Sequence, residues 1–162
     1  RQYRMKEIVT FTLSGKQYGV EVSRLHGIEK YADMLEAPDL PECMRGAVTI
    51  RNELIPVFDI KRRLALPTAD VTPETKYLVL RTRQGKLAIV VDDVLKIVKA
   101  EGNEIQNFPA LLQTDDTSYA EFIIKSGGTL ILTMNPEKFL EEAEWKEIQK
   151  ALKELETGGS ND

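Results

Sequence analysis

The sequence has few of the residues on which enzyme active sites and metal sites most often depend. Of its 162 residues, one is a cysteine, Cys43, and one is a histidine, His26. A single cysteine cannot form an internal disulfide, which fits a reducing cytoplasm, and a single histidine excludes a histidine metal cluster. The longest apolar runs are far shorter than the ~20 residues that a membrane-spanning helix needs. We therefore expect a cytoplasmic protein without a cofactor, a metal or a segment inserted in the membrane.

Cys43 and His26 are also poor candidates for catalysis. A nucleophilic thiol needs a nearby base, and the two residues are far apart in the sequence. We interpret Cys43 as a bystander and His26 as a surface or internally bonded residue. The sequence contains no HExxH, CxxC, GxSxG or P-loop pattern. These observations predict that the protein is not an enzyme; a small-barrel enzyme is the alternative, and it would need a metal or a perturbed nucleophile.

The charge of the chain also limits its function. The net charge is −4 and the isoelectric point is about 5.2, so a basic surface of the kind that binds nucleic acid is not expected. Lys61–Arg63 is a short basic run, typical of a solvated face, and Asp59 before it is predicted to form an ion pair. The neighbouring acids Asp92 and Asp93 point to opposite faces of a strand, so we expect a turn or bulge there rather than a cation site.

Short alternating segments predict a mainly β protein. Strand–turn–strand patterns occupy residues 8–22, 76–91 and 120–134, and residues 101–118 are predicted to be a long polar loop. Strands that follow each other at about ten-residue intervals are typical of sandwiches and barrels. A polar connection at residues 66–73 predicts the boundary between two subdomains.

The most informative segment is residues 44–66, with the sequence MRGAVTIRNELIPVFDIKRRLAL. It predicts two short strands joined by a charged turn at residues 51–53. Pro56 lies inside the second strand and cannot donate a ladder hydrogen bond, so we predict an edge strand or a bulge. Arg51 lies at the tip of the turn. Because the planar guanidinium makes several directed bonds, an exposed arginine beside an edge strand indicates a docking surface.

The end of the chain is predicted to be helical. Asn135 and Pro136 form a good helix start, and residues 136–156 continue it with Trp145 and Ile148 on one apolar face. Residues 157–162 are predicted to be a disordered tail. Whether the apolar face packs on the protein's own barrel or binds a partner is left open.

The chain resembles the CheW family of chemotaxis coupling proteins. Three motifs carry the resemblance: an opening F-x-L-x-G-x-x-Y-G-V-x-V, a central R-G-x-x-I-P-V-x-D-L pattern and a later V-D-x-V. The matching positions are Phe11, Leu13, Gly15, Tyr18, Gly19, Val20, Val22, Gly46, Val48, Ile50, Arg51, Ile55, Pro56, Val57, Asp59, Ile60, Leu64, Val91, Asp92 and Val94. The chain departs from the family at Asn52, where a glycine is usual, and at Gly27, where a glutamate is usual.

The resemblance implies a fold and a domain organisation. We expect a mainly β fold with two SH3-like five-stranded β-barrel subdomains sharing a hydrophobic core, plus a C-terminal α-helix. The domain would span residues 6–142, with one subdomain at about 8–68 and the other at about 75–134, and strand exchange between them is left open.

The resemblance also implies a function. Proteins of the family are non-enzymatic adaptors that bind the regulatory domain of the histidine kinase CheA and the cytoplasmic tips of chemoreceptors. Receptor binding is expected at Leu25, Ile28, Arg51 and Asn52. Kinase binding is expected at Gly46, Lys76 and Val94. Because the first residue is Arg1, an adaptor module cut from a longer signalling protein, such as a receiver-domain fusion, is the alternative.

Overall fold

The computed structural model describes residues 5–158 and shows a mainly β chain. The strands are β1 (Met5–Leu13), β2 (Lys16–Glu21), β3 (Leu25–Lys30), β4 (Met44–Ile50), β5 (Glu53–Phe58), β6 (Lys76–Thr82), β7 (Gly85–Val91), β8 (Asp93–Glu101), β9 (Ile105–Asn107), β10 (Ala120–Ser126) and β11 (Thr129–Met134). The α-helices are α1 (Ile60–Arg63) and α2 (Glu142–Gly158). Short 3-10 turns occupy Val22–Arg24, Gly102–Glu104, Ala110–Leu112, Asp115–Thr117 and Pro136–Lys138.

The strands form two curled sheets. The first has six strands in the order β8-β1-β2-β11-β10-β9, and the second has five in the order β3-β6-β7-β5-β4. One parallel pair occurs in each sheet, between β2 and β11 and between β5 and β7. The mainly β fold with two SH3-like barrels is confirmed. One detail was wrong: the first sheet has six strands rather than five, because part of the predicted loop at residues 101–118 forms β9 and pairs with β10.

Hydrogen bonding groups the strands differently from their order along the chain. The first hairpin, β1 and β2, lies between β8 and β11 in the six-stranded sheet. The next five strands along the chain, β3 to β7, form the other sheet. The predicted boundary near residues 66–73 lies inside the run of strands that make the five-stranded sheet. The division of the chain into residues 8–68 and 75–134 stays a prediction, and the sheets show that residues from both ranges share each layer.

Each sheet encloses its own small core, and a third, larger core lies between them. The six-stranded sheet buries Ile8, Val98, Ala100, Ile105, Phe122, Ile124 and Ile131. The five-stranded sheet buries Val48, Ile55, Val57, Tyr77, Val79 and Ala88. The shared core contains Val9, Phe11, Leu13, Val20, Met44, Phe58, Ile60, Leu78, Leu80, Leu87, Ile89, Val91, Tyr119, Met134, Phe139, Leu140, Trp145 and Ile148. The expected shared core is therefore confirmed.

The small core inside each sheet and the shared core between the sheets explain why some strands are apolar on both faces. Ile8 belongs to the core of the six-stranded sheet, whereas the next residue, Val9, belongs to the shared core. Neighbouring strand residues point to opposite faces, so β1 is buried on both sides. Leu78 and Val79 show the same relationship in β6.

Pro56 does not mark an edge strand. β5 lies between β7 and β4, and the irregularity in its pairing with β4 falls between Met44 and Gly46, so neither predicted alternative was right. The parallel ladder to β7 pairs Val57 and Phe58 only. Pro56 is therefore tolerated because β5 is unpaired on one side at that position, although the strand as a whole is internal.

The five-stranded sheet closes through the segment that follows β3. Leu35 and Ala47 exchange two backbone hydrogen bonds, with N···O distances of 2.7 and 3.0 Å. This bridge brings the chain leaving one edge strand, β3, against the other edge strand, β4. Closure of this kind removes most of the exposed sheet edge.

The C-terminal helix begins later than predicted. Asn135 accepts a hydrogen bond from the N–H of Glu137 at 3.0 Å, as a cap should, but the turn it caps is a short 3-10 turn. The α-helix starts at Glu142 and ends at Gly158, so two residues of the predicted disordered tail are helical. The rest of that tail lies outside the described residues. Trp145 and Ile148 are buried in the shared core, which shows that this face packs on the protein itself.

Candidate binding surface at the Arg51 turn

The turn between β4 and β5 holds its two central residues in a left-handed conformation. Ile50 pairs with Glu53, and Arg51 and Asn52 between them have φ angles of 51° and 68°. Two positive φ angles in a two-residue loop define a type I′ hairpin turn. Asn52 lies where the resemblance leads one to expect a glycine, and asparagine tolerates a positive φ better than most residues, so the turn is retained.

Arg51 is exposed but it is not free. Its Nη1 lies 3.1 Å from Oε2 of Glu29 on β3, and the exposed fractions of the two side chains are 76% and 19%. β3 and β4 are the two edge strands of the five-stranded sheet, so the ion pair spans the seam where the sheet closes. The guanidinium is thereby held beside β3.

Glu29 was missed by the sequence analysis. The signal that could have found it is the period of two along a strand. The chain has Gly27 where the resemblance leads one to expect a glutamate, and Glu29 lies two residues further on, so it projects from the same face of β3.

The two apolar residues expected at the receptor site differ in their surroundings. Leu25 is half-buried and packs against the shared core. Ile28 is 43% exposed, and because it precedes Glu29 directly, its side chain points away from the face on which Glu29 meets Arg51. The structure thus brings Arg51, Asn52 and Glu29 together and does not place Leu25 and Ile28 in one groove with them. The receptor-binding role of all four predicted residues stays a prediction.

The three residues expected at the kinase site lie on three strands of the two sheets. Gly46 is buried in β4, and an added Cβ would lie 2.5 Å from the carbonyl oxygen of Leu35. Lys76 begins β6, and its Nζ donates to the carbonyl oxygen of Pro73 at 3.0 Å. Val94 on β8 packs against the shared core. Gly46 can act only through the backbone, and the kinase-binding role of all three stays a prediction.

The basic residues Lys61–Arg63 after β5 make more contacts than we expected of a solvated face. Asp59 does not form the predicted ion pair; its carboxylate caps α1 by accepting the N–H of Arg62 at 3.3 Å. Lys61 pairs with Asp92 at 2.8 Å, and Arg62 pairs with Glu42. The guanidinium of Arg63 lies 5.6 Å from the ring centre of Tyr119.

Among residues 5–158, the single thiol is not activated as a nucleophile, and no cluster of metal ligands is present. Burial, followed by the nearby carboxylate of Glu144, raises the pKa of Cys43 to about 12. The Cys43 Sγ donates to Oε2 of Glu144 at 3.4 Å, so the thiol is held protonated. His26 is exposed. Within residues 5–158, no three His, Cys, Asp or Glu side chains are placed to hold a metal ion, and no helix is long and apolar enough to cross a bilayer.

Comparison with known proteins identifies the family. The model of the CheW-like domain matches residues 7–144. The chain belongs to the CheW-like domain family. The match covers both sheets and ends just inside α2, so most of this helix lies beyond it.

Relatives and solved structures agree with this assignment. The chain is 26% identical to the chemotaxis protein CheW of Bacillus subtilis over 126 residues. The aligned region covers 78% of this chain and 81% of that protein. It is 24% identical over 148 residues to the chemotaxis protein CheW of Treponema pallidum, covering 89% and 85%. The crystal structure of the scaffolding protein TtCheW from Thermoanaerobacter tengcongensis superposes with a TM-score of 0.76 at 25% identity, covering 85% of this chain and 89% of that one.

Proposed function

We propose that this protein is a cytoplasmic, non-enzymatic adaptor that couples chemoreceptors to the histidine kinase CheA in bacterial chemotaxis. The observation that carries the proposal is the match to the CheW-like domain along residues 7–144, which includes both sheets and the shared core. The relatives named as chemotaxis proteins and the similar scaffolding protein support the same role.

The contacts of the Arg51 turn support a role in receptor binding. Arg51 projects from a tight turn whose backbone is fixed by the pairing of Ile50 with Glu53, and its side chain is 76% exposed. Arginine is enriched at the centres of binding interfaces because its donors are directed and numerous. In this proposal the turn presents Arg51 to the cytoplasmic tip of a chemoreceptor, and the regulatory domain of CheA binds a different surface.

An adaptor of this kind acts by linkage rather than by chemistry. It transmits a signal only if the state of the receptor changes the affinity or the geometry of the adaptor at the kinase. The shared core suits this role, because it packs side chains of both sheets into one unit. A displacement at the seam of one sheet would then reach the other sheet through packed side chains.

Co-sedimentation tests the proposal directly. Receptor-containing membranes are incubated with the protein, with and without CheA, and kinase autophosphorylation is scored in the same tubes. We expect the protein to enter the pellet with the membranes and to change the rate of autophosphorylation. Membranes without receptors are the control. A protein that binds neither receptor nor CheA would overturn the proposed function.

A further inference from the structure

The chain first passes from the six-stranded sheet to the five-stranded sheet through the 3-10 turn Val22–Arg24, which we call the crossover. The N–H of Leu25 donates to the carbonyl oxygen of Val22 and closes this turn, and its N-cap residue, Glu21, makes no side-chain cap bond. A 3-10 turn of this length is weak on its own, because its hydrogen-bond geometry is poor. The position of the crossover therefore depends on its contacts with the rest of the protein.

An ion pair ties the crossover to β10. Nη2 of Arg24 donates to Oε2 of Glu121 at 2.8 Å, and the two side chains are 24% and 21% exposed. The crossover follows β2, and the sheet order β2-β11-β10 places a whole strand between β2 and β10. The pair thus joins two segments that no strand ladder connects. Neither residue belongs to the motifs that carry the family resemblance.

A bulge in β10 sets the direction of the Glu121 side chain. The pairing with β11 is irregular after Ala120, and Oγ1 of Thr133 bonds to both the N–H and the carbonyl oxygen of Phe122, at 3.2 and 2.8 Å. Ala120 packs against the shared core, whereas Phe122 lies in the core of the six-stranded sheet. Residues two apart share a face in a regular strand, so β10 turns at Glu121. The bulge thereby directs the carboxylate to the crossover.

The ion pair makes one of the two parallel hydrogen bonds that a guanidinium and a carboxylate can form. Nε of Arg24 and Oε1 of Glu121 are buried and have no hydrogen-bond partner among the residues that the structure describes. Buried polar atoms without a partner cost free energy, and apolar side chains of similar size are often at least as stabilising as a buried ion pair. Stability therefore explains this pair poorly, and its directed bond indicates a positional role.

We propose that Glu121 is a positioning residue, which fixes the crossover through Arg24 and so sets the place of Leu25. Leu25 follows Arg24 directly and packs against the shared core, and the pairing of β3 with β6 shifts between Leu25 and Gly27, so the ladder alone holds Leu25 loosely. Leu25 is expected to present an apolar contact to the receptor, and this part of the inference rests on the proposed function. The position of the crossover can be measured on the isolated protein.

The amide of Leu25 reports on the crossover, because its hydrogen bond to Val22 closes the turn. Hydrogen exchange of this amide is compared with that of the buried β6 amides in the wild type and in Glu121→Gln. We expect exchange at Leu25 to become about tenfold faster in Glu121→Gln while the β6 amides change much less, because the opening is local. An unchanged rate at Leu25, or an equal rise in β6, would overturn the proposal.

Lys6→Met is the matched control. Lys6 pairs with Glu21 at 3.3 Å, and the exposed fractions of 24% and 18% are close to those of the Arg24–Glu121 pair. This ion pair joins β1 and β2, which their own ladder already holds together, so exchange at Leu25 should match the wild type. A rise equal to that in Glu121→Gln would contradict a specific role for Glu121.

An apolar pair separates position from stability. In the double variant Arg24→Met, Glu121→Leu, apolar side chains replace the half-buried charges, so the thermal unfolding midpoint should equal or exceed that of the wild type. Exchange at Leu25 should still be fast, because these side chains make no directed bond. Protection of Leu25 as strong as in the wild type would show that packing alone places the crossover, and the proposal would fail.

Receptor binding tests the consequence of the positioning. Glu121→Gln is expected to weaken binding about 2- to 10-fold, because a loosened segment must be ordered when the partner binds. In a Leu25→Ala background the same substitution should have no further effect, since Glu121 acts through Leu25. Unchanged binding by Glu121→Gln, or full additivity of the two substitutions, would contradict the proposal. If the wild type binds no receptor, the proposed function fails, and the exchange data still decide whether Glu121 positions the crossover.

Discussion

Lys61 Nζ lies 2.8 Å from Oδ1 of Asp92, and the other oxygen of this carboxylate, Oδ2, accepts the backbone N–H of Ser14 at 2.7 Å. Lys61 lies on α1, directly after strand β5 of the five-stranded sheet, and Ser14 lies in the turn of the β1–β2 hairpin in the six-stranded sheet. One carboxylate thus ties the two layers together at the edge of the shared core.

This contact predicts that Asp92→Asn lowers the free energy of unfolding by about 1–2 kcal/mol, because a half-buried charged acceptor loses its ion pair. The exposed fractions of the Lys61 and Asp92 side chains are only 12% and 27%, so solvent screens the pair less than it would on an open surface. Urea denaturation measures the change. Asp93→Asn is the matched control, and a change of under about 0.5 kcal/mol is expected for it. Equal losses from the two substitutions would show that the Asp92 contact is not specific.

Gly46 is expected to tolerate no side chain. Its φ of 155° and the carbonyl oxygen of Leu35, 2.5 Å from an added Cβ, together predict that Gly46→Ala lowers the free energy of unfolding by about 2–4 kcal/mol. Gly15 has a φ of 81° with open space around it, so Gly15→Ala should cost about 1 kcal/mol from backbone strain alone. Thermal unfolding of both variants tests the difference. If kinase binding is lost in Gly46→Ala, the melting temperature decides whether the loss follows from unfolding.

Replacing Asn52 by glycine should stabilise the β4–β5 hairpin. Asn52 has a φ of 68°, and glycine adopts this conformation without the cost that a Cβ imposes, so we expect a gain of up to about 1 kcal/mol. Gln84 holds the equivalent place in the two-residue turn between Thr82 and Gly85, and its φ is not positive. Gln84→Gly should therefore be neutral or destabilising. A loss of stability in Asn52→Gly would contradict the account of the turn.

The sequence predicted the elements whose pattern is local. Alternation in residues 8–22, 76–91 and 120–134 corresponds to β1–β2, β6–β7 and β10–β11. It did not predict β9, because three residues are too short to show a period, and this strand forms only by pairing with β10. Pro56 was misinterpreted because its tolerance depends on how far the neighbouring ladder extends, which is a property of the sheet and not of the strand.

The candidate site was also predicted only in part, because some of its contacts join residues that are distant in the sequence. Arg51 could be identified, because it lies at the tip of a turn between two apolar strands and matches a family motif. Glu29, which pairs with Arg51, lies 22 residues earlier in the sequence. It belongs to β3, whereas Arg51 follows β4, and these are the two edge strands of the five-stranded sheet. The period of two along β3 shows which face Glu29 projects from, but it does not show that this face meets Arg51, because only closure of the sheet brings the two residues together. The cap formed by Asp59 was missed for a similar reason: α1 is too short to show a helical period.

The thiol of Cys43 should react slowly and in a defined pH range. Its pKa is raised from 9.0 to about 12 by burial and by Glu144, so alkylation should be much slower than that of a free cysteine until the pH approaches the upper value. The folded state retains the proton more tightly than the unfolded state. The contribution of the thiol to the free energy of unfolding is therefore complete below pH 9.0 and falls as the pH rises towards about 12.

Glu144→Gln tests the cause of the raised thiol pKa. The substitution removes the negative charge beside Cys43, so the pKa should fall, although burial keeps it above the ordinary value. Alkylation rates measured against pH report the change. Glu142→Gln, an exposed position in the first turn of the same helix, is the control and should leave the pH profile unchanged. A profile that does not move in Glu144→Gln would leave burial as the sole cause.

Arg51→Ala should weaken receptor binding by tenfold or more, about 1.4–3 kcal/mol, because it removes the directed donors at the tip of the turn. Stability should change little, since the side chain is 76% exposed and its ion pair is screened. The control is Arg83→Ala, because Arg83 is also exposed and also holds the first position of a two-residue hairpin turn in the same sheet. Co-sedimentation with receptor membranes measures binding, and urea denaturation measures stability. Loss of binding in Arg51→Ala alone, with CheA binding retained, would assign receptor recognition to this turn; equal losses in both variants would instead indicate a general effect of positive charge at this end of the barrel.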